Sequence, residues 1–130
     1  MPLNDSQRAN ARIIEEVFKE MLTSAGIPRE SIAKITAAAI ANAYRESGLR
    51  NENVGDGGAS IGLFQLHERG AGEGLSVEYR RDSYNNTRTI IEREVLAKRG
   101  RTLIARANAG ASVAELAAIF SRDIERPRDK

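Results

Sequence analysis

Glu46 is the side chain of this sequence whose type and position could perform acid chemistry. It ends an alanine-rich helical stretch and continues the apolar line formed by Ile32, Ile35, Ala39 and Ala43. A carboxylate at a helix C-terminus faces the negative end of the helix dipole, and an apolar face removes part of its hydration. Both effects disfavour the charged form, and a carboxyl group that keeps its proton near neutral pH can serve as a general acid. Glu46 is therefore a candidate general acid.

A plainer interpretation is that Glu46 is a terminal-turn residue that bends out to water or pairs with Arg45 or Arg50. Periodicity alone favours this interpretation. The glycine-rich segment that follows, 49–60, could form a wall beside Glu46, and this keeps the catalytic interpretation open.

The residues after Glu46 predict a departure from helix. The stretch LRNENVGDGGAS at 49–60 is rich in Asn, Asp and Gly, which favour turns. By this pattern alone Asp56 is a turn residue ahead of two glycines. The next six residues, IGLFQL at 61–66, are apolar and predict either a strand or a buried turn.

Helices on both sides must position this segment. A helical period predicts a first helix over 5–25, stopped by Gly26 and Pro28. A second helix is expected from about Pro28 to Gly48, which are favourable residues for a helix start and a helix end. The glycine-rich, charged segment 68–81 predicts a loop.

Three further helical segments are predicted in the second half. One begins near 82–83 and is broken at Gly100, and a helical piece follows over 101–108. The last helix begins with a capping box formed by Ser112 and Glu115. The residues expected on the buried side of the helix that begins near 82–83 are Ile90, Ile91, Val95 and Leu96. Those expected on the buried side of the last helix are Leu116, Ile119, Phe120 and Ile124. Pro127 is expected to close this last helix.

Length and composition predict one mainly α-helical domain over 1–130, with a small irregular or β insertion after the second helix. Apolar residues form 41% of the chain, as expected for a globular protein rather than a disordered one. The chain has no Cys and a single His, so we expect neither a disulfide nor a histidine-based metal site.

The charge pattern limits the classes of partner. Twenty basic residues stand against 18 acidic ones, a net charge of +2, and the bases form no single stripe interleaved with aromatic residues. A nucleic-acid-binding module is therefore a minor alternative. No apolar run approaches the roughly 20 residues of a membrane span. The first residues, MPLNDSQRAN, lack the pattern of a secretory signal.

Separate motifs in this chain resemble one superfamily. RESG at 45–48, followed by VGDGGASIGLFQL at 54–66, resembles the lysozyme-like superfamily, and goose-type lysozymes, lytic transglycosylases and phage tail lysozyme domains in particular. FSRDIERP at 120–127 is similar to a C-terminal helix of the phage tail members. The resemblance covers about residues 30–127 and implies a mainly α, lysozyme-like α+β fold.

The resemblance also implies roles for five residues. Glu46 matches the catalytic acid, and Asp56 matches the aspartate that in goose-type enzymes helps to place the attacking water. Ser47 matches a neighbour that holds the carboxyl group or the sugar. Positions that contact the sugar are matched by Ser60 and Gln65.

The sequence departs from the superfamily in two places. His67 stands where goose-type enzymes have a further aspartate, and we expect it to be a surface residue. Many members have a YNAG segment whose Tyr packs near the acid, whereas this chain has ANAG at 107–110, which leaves Asn108 as a weak candidate. Tyr84 or Asn86 could fill the gap in space.

The resemblance implies a peptidoglycan-cleaving glycosidase that needs no cofactor and hydrolyses the β-1,4 bond between N-acetylmuramic acid and N-acetylglucosamine. Two alternatives stay open: a lytic transglycosylase acting on the same bond, and a catalytically silent structural or wall-binding component of a virion. The expected location is a phage virion, with other virion or tail proteins as potential partners, or the host cytoplasm before release as an endolysin. In either case the chain would act on the bacterial cell wall.

Overall fold

The computed structural model describes residues 2–125. In this range the helices are α1 (Asp5–Ser24), α2 (Arg29–Ser47), α3 (Val77–Arg81), α4 (Ser83–Ile90), α5 (Arg101–Asn108) and α6 (Val113–Ile119). The strands are β1 (Val54–Gly55), β2 (Ser60–Ile61) and β3 (Leu66–His67). Two π-helical turns extend α4 and α6, at Ile91–Val95 and Phe120–Glu125, and 3-10 turns occupy Asp56–Gly58 and Lys98–Gly100. The predicted fold class, mainly α with a small β insertion after the second helix, is confirmed.

α1 begins with a reciprocal cap. The N–H of Gln7 donates to Oδ1 of Asn4, and the N–H of Asn4 donates to Oε1 of Gln7, both at 2.8 Å. The helix ends at Ser24, close to the predicted boundary, and Gly26 then adopts a left-handed φ of 83°. Its core-facing residues include Ile14, Val17, Phe18 and Leu22.

α2 lies between the two predicted boundary residues. Pro28 stands just before the first turn in an extended conformation. Gly48 ends the helix in the left-handed region, with φ 67°, and its N–H donates to the carbonyl of Tyr44 at 2.7 Å. The small buried residues of α2 let α1 and α6 pack closely against it, and they are Ala38, Ala39 and Ala43.

The three strands form one antiparallel sheet in the order β1-β2-β3. Ile61 pairs with Val54 on one side and with Leu66 on the other. IGLFQL therefore supplies the end of β2, a tight turn and the start of β3, so both predicted alternatives, strand and buried turn, occur within it. We call 60–67 the hairpin.

Phe64 anchors the hairpin in the helical core. Its ring centroid lies 6.3 Å from that of Phe18 on α1 and 6.0 Å from that of Phe120 after α6. All three rings are essentially inaccessible to solvent. Such tilted pairs are favourable for aromatic rings, so the hairpin is packed between two helices rather than laid on the surface.

The prediction that 68–81 is a loop was wrong for its last part. α3 occupies Val77–Arg81, and the Oγ of Ser76 caps it by accepting the N–H of Tyr79 at 3.0 Å. A helix of five residues is too short to show an apolar period, so the pattern could not reveal it.

Leu96 was wrongly predicted to be buried, since 38% of it is exposed. Ile90, Ile91 and Val95 are buried as predicted. The π-helical turn explains the difference, because the N–H of Leu96 bonds to the carbonyl five residues earlier, at Ile91, at 2.8 Å. This wider turn shifts the following residue away from the buried face.

The predicted capping box at α6 is half formed. Ser112 Oγ accepts the N–H of Glu115 at 3.1 Å, but the Glu115 carboxylate binds Nε of Arg106 at 2.8 Å. The four predicted apolar positions of this last helix are buried, and they are Leu116, Ile119, Phe120 and Ile124. Pro127, predicted to close the helix, lies outside the described residues.

Candidate active site

Glu46 lies in the last turn of α2 with a half-buried side chain. Within residues 2–125 its carboxylate forms no hydrogen bond and no ion pair, and Nη2 of Arg45 instead donates to Oδ1 of Asn42 at 3.0 Å. Arg50 forms no ion pair with Glu46 either. The pairing that the plainer interpretation invoked is therefore not made. Among the described residues the carboxyl oxygens of Glu46 are therefore left available for contact with a ligand.

The end of α2 is held in place by α1. Nε2 of Gln7 donates to the carbonyl of Gly48 at 2.8 Å, and Nδ2 of Asn10 donates to the carbonyl of Leu49 at 2.9 Å. The last carbonyls of a helix otherwise lack partners. Leu49 is buried with φ 59°, a left-handed conformation that costs about 1–3 kcal/mol for a residue with a side chain. The surrounding contacts therefore impose the direction in which the chain leaves Glu46.

Ser47 ties the end of α2 to the hairpin. Its buried hydroxyl lies 2.9 Å from the carbonyl of Ala43 and 2.8 Å from the carbonyl of Leu63, and it can donate to either. The first contact is local to the helix, whereas the second crosses to the turn between β2 and β3. Ser47 thus links the end of α2, where Glu46 lies, to the hairpin.

Asp56 lies at the start of the 3-10 turn, with an exposed side chain and a left-handed φ of 53°. Its Oδ2 accepts the hydroxyl of Ser60 at 2.6 Å, and Ser60 is fully buried at the start of β2. A hydrogen bond to a carboxylate is among the stronger ones, so it orients Asp56. Gly57 and Gly58 follow with φ 66° and 102° and put no side chain beside the carboxylate.

Gln65 braces the hairpin from inside. It is buried with φ 48°, and its Nε2 donates to the carbonyls of Asn53 at 3.1 Å and Gly62 at 2.9 Å. Its Oε1 lies so close to Gly55 that a Cβ there would come within 2.5 Å. Both amide hydrogens are used within the protein, which favours a positioning role over the predicted contact with sugar.

The five predicted site residues therefore divide into two groups. The two carboxylates, Glu46 and Asp56, have solvent-accessible side chains. The other three are buried and join α2, the hairpin and the 3-10 turn to one another, and they are Ser47, Ser60 and Gln65. In the part of the chain that the structure describes, no three His, Cys, Asp or Glu side chains group as metal ligands would.

Asn108 of the ANAG segment and the two residues expected to fill the gap left by the missing tyrosine lie in different surroundings. Asn108 accepts the hydroxyl of Ser31 at 2.6 Å, which places it beside the start of α2. Ser31 and Glu46 are separated along the helix by about 22 Å at 1.5 Å per residue. Tyr84 is exposed, with the guanidinium of Arg88 5.8 Å from its ring centre. Asn86 is fully buried against the hairpin.

Sequence patterns did not reveal Arg80, Gln7 or Asn10 as supports of the site. Arg80 is almost fully buried under the sheet, where its Nη1 donates to the carbonyls of Ala59 at 3.1 Å and Leu66 at 2.8 Å. The only local signal was the Asn-x-x-Gln spacing at the start of α1, which predicts a cap and not a contact 41 positions away. His67, expected at the surface, is half-buried at the end of β3.

Two carboxyl groups away from the site have perturbed pKa values. The hydrogen bond from Arg106 and its charge lower the pKa of Glu115, joining α5 to α6. The hydrogen bond from Arg122, with further help from its charge and that of Arg99, lowers the pKa of Asp123. Both pairs are largely exposed, so the contribution of each to stability is small.

A comparison with family profiles identifies the chain. The profile of the phage tail lysozyme family matches residues 14–130. The chain belongs to the phage tail lysozyme family. Neither a curated protein nor a solved structure matches it.

Membership in the phage tail lysozyme family gives the chain a lysozyme-like domain and a phage-associated function that acts on peptidoglycan. It also indicates association with the virion. The five candidate site residues fall inside the matched range, whereas Gln7 and Asn10 precede it. None of the helices within residues 2–125 has the length and apolar character needed to cross a membrane.

Proposed function

We propose that this chain hydrolyses the β-1,4 bond between N-acetylmuramic acid and N-acetylglucosamine, with Glu46 as the general acid. The observation that carries the proposal is the half-buried carboxyl group of Glu46 at the end of α2, which has no hydrogen-bond or ion-pair partner among residues 2–125. Its neighbour Ser47 is hydrogen-bonded to the hairpin that also supports Asp56. Both carboxylates therefore belong to one connected scaffold.

In this mechanism Glu46 donates its proton to the leaving oxygen as the C1–O4 bond breaks. Positive charge develops on the sugar ring in an oxocarbenium-like state. Asp56 accepts a proton from a water molecule as the oxygen of that water bonds to C1. An inverting hydrolase needs the two carboxyl groups roughly 6.5–9.5 Å apart, so that the water fits between them.

The hydrogen bond from Ser60 supports the second role. The hydroxyl at 2.6 Å holds one carboxylate oxygen of Asp56. The left-handed turn and the two glycines after it leave space around the group. We assign Ser47, Ser60 and Gln65 to positioning the site, with contacts to sugar made by other groups.

A lytic transglycosylase is the second candidate, and the absence of a partner for Glu46 among residues 2–125 fits it equally well. There the C6 hydroxyl of muramic acid attacks C1 in place of water and loses its proton to the Glu46 carboxylate. The product is an anhydro sugar, lighter by one water than the hydrolysis product. Asp56 would then be a turn residue.

A zymogram on purified cell walls, followed by mass spectrometry of the soluble products, tests the proposal. Hydrolysis predicts clearing and ordinary reducing muramic acid ends. Clearing with products lighter by one water would indicate the transglycosylase. Intact walls would indicate a catalytically silent wall-binding or structural component, for which other virion proteins are the expected partners.

A further inference from the structure

Asn86 on α4 has a fully used side-chain amide in a fully buried position. Its Oδ1 accepts the N–H of Phe64 at 2.9 Å. Its Nδ2 donates to the carbonyls of Ile61 at 3.0 Å and Arg80 at 2.8 Å. No other amino acid provides one acceptor and two donors at this length, so these bonds demand asparagine.

The turn of the hairpin is built directly against this amide. Gly62 has φ 87°, and a Cβ added there would lie 2.4 Å from Nδ2 of Asn86 and 2.4 Å from the carbonyl of Arg80. Only a glycine lets the backbone approach so closely. The hairpin and α4 therefore fit together in one arrangement.

One end of the Asn86 contact is connected to Asp56 through Ile61 and Ser60. Ile61, whose carbonyl receives one Nδ2 hydrogen, directly follows Ser60 in β2. Ser60 in turn donates to the Asp56 carboxylate. A shift of Ile61 would move this hydrogen bond and the carboxylate with it.

The other end of the contact is connected to Glu46 through Leu63 and Ser47. Phe64, whose N–H is bound by Oδ1, directly follows Leu63. The carbonyl of Leu63 is the acceptor for the hydroxyl of Ser47, the residue after Glu46. One side chain thus binds both ends of the hairpin turn, at Ile61 and Phe64, and each end is next to a residue that is linked to one of the two carboxylates.

We propose that Asn86 is a positioning residue that sets the placement of Glu46 relative to Asp56 without touching the substrate. This inference rests on the proposed hydrolytic function. Arg80 assists by binding the carbonyl of Ala59, just before β2, and the carbonyl of Leu66 in β3.

The test compares wild-type protein with the Asn86→Ala variant on a soluble glycan oligomer of defined length, well below the unfolding midpoint of both. Displacement of a reacting group by about 1 Å can cost about 10²-fold in rate, so we expect kcat to fall by about that factor with KM nearly unchanged. The fraction of anhydro product should also rise. In that side reaction the C1–O4 bond breaks and C1–O6 forms, Glu46 protonates O4, and the C6 hydroxyl returns a proton to it.

The product ratio separates positioning from a loss of stability, because unfolded molecules make no product of either kind. Thr87→Ala is the matched control. Thr87 is equally buried on α4, but among the described residues its hydroxyl donates only to the carbonyl of Ser83 within that helix, at 2.9 Å. The Thr87→Ala substitution should lower the unfolding midpoint, while kcat and the ratio of anhydro to hydrolysed product stay at wild-type values. If Asn86→Ala does not fold, Arg80→Lys is the second variant, because it weakens bonds to the same hairpin. It should also raise the fraction of anhydro product.

The possible results are distinct. A folded Asn86→Ala variant with wild-type kcat and wild-type products overturns the inference. A wild-type protein that leaves walls intact overturns the proposed function and the inference with it. Wild-type products that are wholly anhydro overturn the hydrolytic assignment, and the kcat comparison between Asn86→Ala and Thr87→Ala then decides the positioning role.

Discussion

The hydroxyl of Ser83 donates to Oδ1 of Asn10 at 2.6 Å, a bond between residues 73 positions apart. Both side chains are buried. Nδ2 of Asn10 donates in turn to the carbonyl of Leu49, just beyond the candidate acid. Asn10 therefore joins α1, α4 and the end of α2 at a single side chain.

We expect Asn10→Ala to lower the free energy of unfolding by about 1–3 kcal/mol for each buried group that it leaves without a partner. Those groups are the Ser83 hydroxyl and the Leu49 carbonyl. Urea denaturation of Asn10→Ala, Ser83→Ala and the double variant measures the coupling, expected at about 0.5–3 kcal/mol. Asn85→Ala is the control, since its side chain makes no hydrogen bond within residues 2–125. Strictly additive effects would contradict the direct contact.

Glu46→Gln should abolish nearly all lytic activity. Gln keeps the size of the side chain but has no acidic proton to give, and general-acid catalysis contributes about 10²–10⁴-fold in rate. Glu46 forms no hydrogen bond or ion pair within the described residues, so the unfolding midpoint should stay close to that of the wild type. A wall-clearing assay beside a thermal melt measures both quantities. A native clearing rate for this variant would refute the acid assignment.

Asp56→Asn should cut hydrolysis by at least about 10²-fold while the protein stays folded, because an amide cannot accept a proton from the attacking water. The Ser60 hydroxyl can still donate to the amide oxygen, so the turn should keep its shape. Mass spectrometry of the released muropeptides gives the readout. If the variant clears walls as fast as the wild type, Asp56 is a turn residue and not a catalytic group.

The Arg106–Glu115 pair predicts a small pH-dependent part of the stability. Arg106 lowers the pKa of Glu115, so the carboxylate stabilises the fold fully above the ordinary pKa of glutamate, and this contribution is lost as pH falls through the lowered value. Thermal melts of wild type and Arg106→Gln should therefore differ most at about pH 7 and converge at about pH 3. The difference should also shrink in high salt, because the pair is exposed. Glu115→Gln is the matched control, and a gap that persists at low pH would argue against the ion pair.

Local signals in the sequence predicted the long helices well. Pro28 and Gly48 bracket α2 because their backbone preferences act without help from the rest of the fold. The π-helical turn that exposes Leu96 depends on tertiary packing, and periodicity assumes a regular helix. The helix at 77–81 was missed because it is too short to show an apolar period. Leu96 was misplaced because the π-helical turn interrupts the regular helical period.

The candidate site was predictable only in part, for a similar reason. Glu46 and Asp56 carry chemical groups that can be recognised in a motif. Asn86 and Arg80 act through main-chain carbonyls and an N–H that lie 6 to 25 positions away, and these partners are known only once the chain is folded. No rule of spacing connects α4 to the turn of the hairpin.

The brevity of the three strands governs how the site can move. Strands of two residues cannot hold a sheet together by themselves, so the hairpin depends on bonds from the helices: Asn86 on α4, Arg80 on α3 and Ser47 on α2. Segments that share such contacts open together as one cooperative unit. The hairpin and the 3-10 turn that contains Asp56 should therefore separate from α2 only when α2, α3 and α4 lose their contacts with the hairpin. On the proposed function, the glycan strand would meet a surface that residues 2–125 have formed before binding.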